Sequence, residues 1–276
     1  MTEEKPATHI MVRDLTMAYG DFVVMRDLTF SIRRGEIFVI MGGSGCGKST
    51  LLRHLTGLLA PKTGKIYYEG EDFTAADDGQ RNQMMRKFGV MFQGGALWSS
   101  LTLAENVAFP LEEFTDLPPL AIKEMVELKL ALVGLRGYED FYPAQISGGM
   151  CKRASLARAM ALDPEILFFD EPSAGLDPVS ARRLDELILQ LRDTFGTTVV
   201  VVTHDLASIF AIADRALYLD VATRTSGGLG EPETMRFRAE NEGLRLFLNR
   251  GMTGLHEAQD PATGAPLVTG TAARKG

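Results

Sequence analysis

Short apolar runs recur along the chain at 36–41, 166–169, 199–202 and 216–219, each only a few residues long and apolar at nearly every position. Runs of that length without alternation are the pattern of strands buried on both faces, as in a parallel sheet. Between them the apolar spacing becomes helical. Leucines before Pro61 predict a helix over 49–59, and residues 179–194 predict another. From 101 to 144 the positions Ile122, Met125, Val126, Leu128, Leu130, Leu132 and Val133, behind a Pro118-Pro119 break, predict a helical segment inserted into the sheet. Near the start, extended segments at 10–15 and 28–32 flank the turn-like Tyr19-Gly20-Asp21 and predict an antiparallel sheet at the edge. Residues 64–70 and 90–92 read as further short strands. Strands alternating with helices imply an α/β domain with a mainly parallel sheet.

At 276 residues the chain has room for one such domain with subdomains. A formal charge of −7 argues against a general affinity for nucleic acid, so a protein partner is expected and no nucleic acid. Cys46 and Cys151 are the only cysteines and have neither metal-ligand spacing nor a disulfide-rich context, which fits a reducing cytoplasm. The first nine residues lack the pattern of a signal peptide, and no apolar run is long enough to span a bilayer. Work at a membrane would therefore need other chains to do the spanning.

The chemistry concentrates in three stretches. Gly42-Gly43-Ser44-Gly45-Cys46-Gly47-Lys48-Ser49-Thr50 fits G-x-x-x-x-G-K-[ST] between a predicted buried strand and a predicted helix. Its glycines let backbone N–H groups wrap phosphates, the helix N-terminus adds a positive dipole end, Lys48 reaches the β- and γ-phosphates of a bound nucleotide, and Ser49 is the expected Mg²⁺ ligand. Residues 166–169 run into Asp170-Glu171 at the C-terminal end of a strand, where ligands of open α/β sheets bind. Asp170 is the expected metal carboxylate and Glu171 the group that orients or deprotonates the attacking water. The third stretch, Ile146-Ser147-Gly148-Gly149-Met150, opens a helix whose Ala154, Ala157 and Ala161 share one face while Lys152, Arg153 and Arg158 point elsewhere.

In these three stretches the chain resembles the ABC ATPases, whose signature Leu-Ser-Gly-Gly-Gln appears here with Ile146 and Met150 at its outer positions. The resemblance covers roughly residues 8 to 235. It implies a P-loop fold with a RecA-like, mainly parallel core, an antiparallel β edge and a helical subdomain at about 94–153. It also implies ATP hydrolysis with Mg²⁺, and two cassettes packed head to tail so that each ATP lies between one phosphate loop and the partner's Ser147, Gly148 and Gly149. By the same resemblance Gln93 is the Q-loop glutamine at the metal and attacking water, and His204 is the switch histidine at the γ-phosphate. Residues 173–177 become the D-loop and Tyr19 the aromatic that stacks on adenine. Segment 94–98, with Trp98, faces membrane subunits.

Met150 and the phrase from Gly95 to Leu111 are similar to ATPase subunits of bacterial lipid-asymmetry transporters, which work with MCE-type lipid-binding proteins. That implies a phospholipid cargo, permease subunits, and a place on the inner face of the cytoplasmic membrane; a transporter for another solute is the alternative. Soluble ABC proteins acting on DNA or ribosomes generally carry two cassettes, zinc-finger cysteines or a long coiled coil, and none is present; a GTPase would need Asn-Lys-x-Asp, also absent. Residues 236–276 read as a tail in which Leu244, Phe247 and Leu248 line a short helix, with two alternatives: it docks on the neighbouring cassette or another subunit, or it is a flexible end without a role.

Overall fold

The computed structural model describes residues 7–250. The chain opens with two long strands, β1 (Thr8–Tyr19) and β2 (Phe22–Arg33), paired antiparallel across the turn at Gly20-Asp21, and with β3 (Ile37–Met41). Both β1 and β2 extend beyond the predicted 10–15 and 28–32. Register shifts between Val12 and Leu15 and between Leu15 and Met17, with Asp14 and Asp27 at positive φ, break the period-two alternation that marks a strand in sequence.

Helix α1 (Lys48–Leu55) follows, ending before the predicted residue 59 because Gly57, at φ 77, takes the chain out of the helical region. Next come β4 (Thr63–Tyr68), β5 (Glu71–Asp72), α2 (Asp78–Met85) and β6 (Phe88–Met91). Helix α2 buries no residue and so has no apolar stripe to betray it; its signal is the capping box formed by Asp77 and Gln80. The helical insertion consists of α3 (Leu103–Phe114), α4 (Pro119–Leu132) and a 3₁₀ turn at Pro143–Gln145 leading to α5 (Gly148–Ala159). Thereafter β7 (Ile166–Asp170), α6 (Pro178–Phe195), β8 (Thr198–Val202), α7 (Leu206–Ile212), β9 (Arg215–Asp220) and β10 (Thr225–Gly230) complete the sheet. Two short helices, α8 (Pro232–Arg238) and α9 (Glu242–Leu248), end the described chain.

Strands assemble into a six-stranded sheet in the order β10-β9-β3-β8-β7-β6, parallel except for β10, and a four-stranded antiparallel sheet in the order β2-β1-β4-β5. Successive residues of the inner strands enter opposite cores. Ile37, Val39, Leu167, Phe169, Val199 and Val201 pack toward the helical insertion and α6, whereas Phe38, Ile40, Phe168, Val200 and Val202 pack toward α1 and the antiparallel sheet. Every residue of β3, β7 and β8 is consequently buried, which is the reason their sequences carry no alternation.

The C-terminal helices belong to this core. Leu244, Phe247 and Leu248 are buried inside the chain's own larger apolar cluster, with the Phe247 ring 5.5 Å from that of Tyr218. Their expected docking on another chain is thereby corrected, since the face is already used, and the expected boundary at 235 falls inside α8. The glycines of β10 make the approach possible: a Cβ on Gly228 would meet Leu244 at 2.5 Å. Residues 251–276 of the expected tail lie outside the described residues.

One buried carboxyl sets a pH dependence. Asp185 on α6 accepts from Ser208 Oγ at 2.9 Å, and burial, reinforced by the neighbouring charge of Asp205, raises its pKa to about 6. The folded chain keeps this proton to higher pH than the unfolded chain, so the associated stability is greatest below the ordinary carboxylate range and is lost as pH rises through about 6. We expect Asp185→Asn to be more stable than the parent at pH 7.5 by on the order of 1 kcal/mol, the difference shrinking as pH falls toward 4, measured by urea unfolding at each pH.

Candidate active site

Strand order places the chemistry. The segments that follow β3, β8, β7 and β6 leave the C-terminal ends of four adjacent parallel strands, the edge at which open α/β sheets bind ligands. These segments carry, in that spatial order, the glycine loop, His204, the Asp170-Glu171 pair and Gln93. Residues separated by more than 150 positions thus share one edge.

The loop from Gly42 to Gly47 joins β3 to α1 with no side-chain cap on the helix. Gly47 occupies the N-cap at φ 95, and a Cβ there would lie 2.7 Å from Val24 Cγ1, so both its backbone conformation and its surroundings demand glycine. The first N–H groups of α1 are left without a side-chain acceptor, the arrangement that favours an anion. Lys48 folds over the loop, donating to the carbonyls of Gly42 and Gly43 at 3.1 and 3.0 Å, with Nζ 4.0 Å from Glu171 Oε1. Cys46 is buried, and burial raises its thiol pKa, so it stays protonated and unreactive under the loop. Tyr19 is half exposed at the end of β1, its hydroxyl 3.4 Å from that of Thr50.

Opposite the loop, Ser49 Oγ donates to Asp170 Oδ1 at 2.8 Å. Burial raises the Asp170 pKa, opposed by that hydrogen bond and assisted by the charge of Glu171. Glu171 itself leaves the sheet at φ 48, an uncommon conformation for a non-glycine residue, after donating its backbone N–H to Val202 across the strand at 2.8 Å. Its buried carboxylate accepts from His204 Nδ1 at 2.7 Å, while His204 remains 60% exposed. One carboxylate oxygen is therefore set between an ammonium and an imidazole. Two adjacent carboxylates divide the work: one is tied to a hydroxyl, and the other faces basic groups.

Gln93 is exposed beyond β6, and its backbone carbonyl accepts from Lys152 Nζ. Ser147 caps α5, accepting from the Met150 N–H at 3.2 Å, with Gly148 and Gly149 in the first turn. No hydrogen bond or ion pair among the described residues joins Ser147, Gly148 or Gly149 to the glycine loop. Asp177 caps α6, accepting from Val179 and Ser180 N–H groups at 3.0 Å. Sequence reasoning assigned no role to Lys152 and Arg158. Lys152 is buried, and Arg158 donates to the Gly95 and Ala96 carbonyls at 3.0 and 2.6 Å. Their signal was available in spacing alone: residues 152, 155 and 158 follow one another at i, i+3 intervals and so run along one flank of the helix.

Comparison with known proteins matches a family model described as "ABC transporter" to residues 25–174. The intermembrane phospholipid transport system ATP-binding protein MlaF of Haemophilus influenzae (strain Rd) is 38% identical over 246 residues, covering 86% of this chain and 93% of the relative. The probable ribonucleotide transport ATP-binding protein mkl of Mycobacterium tuberculosis (strain H37Rv) is 39% identical over 257 residues, covering 92% and 71%. Among solved structures, the dimeric structure of MJ0796, a bacterial ABC transporter cassette, superposes with a TM-score of 0.74 at 30% identity, covering 80% of this chain and 98% of that one. With its sheet order, its glycine loop and these matches in agreement, the chain belongs to the ABC transporter family as a nucleotide-binding, ATP-hydrolysing cassette.

Proposed function

We propose that this cassette energises phospholipid transport between bacterial membranes, working as a pair of copies on the inner face of the cytoplasmic membrane, bound to permease subunits and an MCE-type lipid-binding protein. The observation that carries the catalytic part is the Glu171 carboxylate, buried, 2.7 Å from His204 and 4.0 Å from Lys48 beside the glycine loop. Phospholipid is supported by the likeness to the MlaF protein. Ribonucleotide is the second reading, supported by the likeness to mkl. Among the described residues no helix is long and apolar enough to cross a membrane, in keeping with separate permease chains.

In this reading the loop amides from Gly43 to Lys48 and the α1 N-terminus hold the phosphates, with Ser44 and Gly45 exposed at the loop's crest, the buried Cys46 below them and Thr50 in the first turn of α1. Lys48 exchanges its loop carbonyls for the β- and γ-phosphate oxygens. Tyr19, half exposed at the end of β1, stacks on adenine. Ser49 and Asp170 present hard oxygens 2.8 Å apart, a donor set that fits Mg²⁺, with the Gln93 side chain a third. A bound Mg²⁺ would neutralise phosphate charge at that place. Glu171 takes the proton of the attacking water, held in orientation by the N–H of His204 Nδ1. Ser147, Gly148 and Gly149 of one copy complete the site of the other, consistent with their separation from the glycine loop within one chain. The exposed ring of Trp98, edge-on to Phe109 at 4.2 Å, supplies an apolar contact for the permease.

Three outcomes are expected. Replacing Lys48 by Ala removes a charge-assisted contact worth about 2–3 kcal/mol, and should weaken MgATP binding roughly 30- to 150-fold by calorimetry. Glu171→Gln preserves shape but removes the base; turnover should fall by a factor of about 10² to 10⁴, while MgATP drives a lasting dimer visible by size-exclusion chromatography. Parental turnover in this variant would exclude Glu171 as the base. For the cargo, the complex purified with its permease and reconstituted in vesicles should show ATPase activity stimulated by added phospholipid and unmoved by ribonucleotides other than its ATP substrate; the reverse result would replace the phospholipid reading by the second one.

A further inference from the structure

The signature helix α5 does more than present Ser147–Gly149 at its tip. Along one flank it is laid directly against the chain from β6 through Gln93 to Ala96. A Cβ on Gly89 would meet the Ala159 carbonyl at 2.1 Å, and one on Gly95 would meet Ser155 Oγ at 2.6 Å, so neither position has room for any side chain. Gly95 and Ala96, both at positive φ (76 and 50), turn their carbonyls toward Arg158, which binds both. Asn106, fully buried, holds the backbone of Trp98 through an N–H accepted at 2.8 Å and a carbonyl reached at 3.1 Å. At the front of this segment Lys152, a buried ammonium, donates to the Gln93 carbonyl. Burial holds the Lys152 pKa below the usual lysine value, and the fields of Asp170 and Glu171 offset part of that effect. An ammonium placed there therefore feels the catalytic carboxylates while gripping the residue next to them.

We propose that Lys152 is a positioning residue that joins the two nucleotide contacts of one chain: it fastens Gln93, at the chain's own nucleotide, to the helix whose N-terminus meets the nucleotide of the partner copy. The inference rests on the shared-site pairing proposed above. Because Arg158 and Asn106 hold the rest of the segment, Gln93 and Ser147–Gly149 shift together as one body, and occupation of one site sets the geometry of the other. Coupling of this kind needs a discrete mechanical link between sites, and the Lys152 hydrogen bond is the link nearest the chemistry.

Trp98, the sole tryptophan, lies in the clamped segment with Arg158 5.7 Å from its ring, which gives a spectroscopic reporter. The test uses the full chain, with ATPase rate measured against ATP concentration, ADP affinity by calorimetry and Trp98 emission on adding MgATP. The parent should hydrolyse ATP cooperatively, with a Hill coefficient approaching 2. Lys152→Met should bring that coefficient to about 1 and reduce the MgATP-induced change in Trp98 emission by more than half, with ADP affinity within twofold of the parent. Lys152→Gln, which keeps a donor without the charge, should recover most of the cooperativity. Arg158→Lys, unable to bridge two carbonyls, should fall between parent and Lys152→Met. Parental cooperativity and emission in Lys152→Met, or a Lys152→Gln variant as uncoupled as Lys152→Met, would overturn the clamp. A parent that neither pairs nor cooperates would overturn the pairing reading and this inference with it.

Discussion

The structure depends on the burial of β3, β7 and β8 on both faces. Strands with apolar side chains above and below have nowhere to place a polar group except where they end. In this chain Phe38 and Phe168 on one face and Phe169 on the other are fully buried, and the first polar residues at the C-terminal ends of β7 and β8 are Asp170, Glu171, Thr203 and His204. The same constraint keeps the hydrogen-bonded register intact up to the edge: Asp170 pairs with Val202, and Glu171 donates to Val202 before turning away. Catalytic geometry is thus inherited from backbone pairing, which is far stiffer than the side chains themselves.

Around that edge the electrostatics are balanced locally. Lys48 satisfies loop carbonyls, Ser49 satisfies Asp170, and His204 satisfies Glu171, so the buried charges are paired before any ligand arrives. Each of these bonds uses a group that a nucleotide would compete for, which keeps the site poised without leaving an isolated charge in a poor dielectric. Lys152, on α5 of the helical insertion, extends the same pattern outward, satisfying the backbone carbonyl of Gln93 under the field of the two carboxylates. The insertion is fastened to the site by donors on α5 and by glycines that admit no side chain, whereas the antiparallel sheet covers the other face of the core.

Much of this was legible in the amino-acid order. The doubly buried strands announce themselves as unbroken apolar runs, and the glycine loop and the Asp170-Glu171 pair have fixed local spacing, so both could be found without coordinates. The elements that escaped did so for identifiable reasons. Helix α2 buries nothing and has no stripe, β10 lacks the apolar run of a strand because its glycines serve the packing of α8 and α9, and bulges hide the true length of β1 and β2.

What the sequence by itself determined is whatever is encoded within a few residues: the loop that can wrap phosphate, the strand that ends in two carboxylates, the helix opened by Ser147-Gly148-Gly149. Only the tertiary structure decided which of these meet. Strand order brings His204 onto Glu171 and Ser49 onto Asp170 across gaps of 33 and 121 residues, and no local pattern specifies such partners. It also decided that Leu244, Phe247 and Leu248 turn inward and that Lys152 is buried beneath Gln93. The physical reason is the same in each case: local sequence sets the periodicity and the conformations open to a segment, while the competition for buried area, settled over the whole chain, selects the neighbour against which each face is spent.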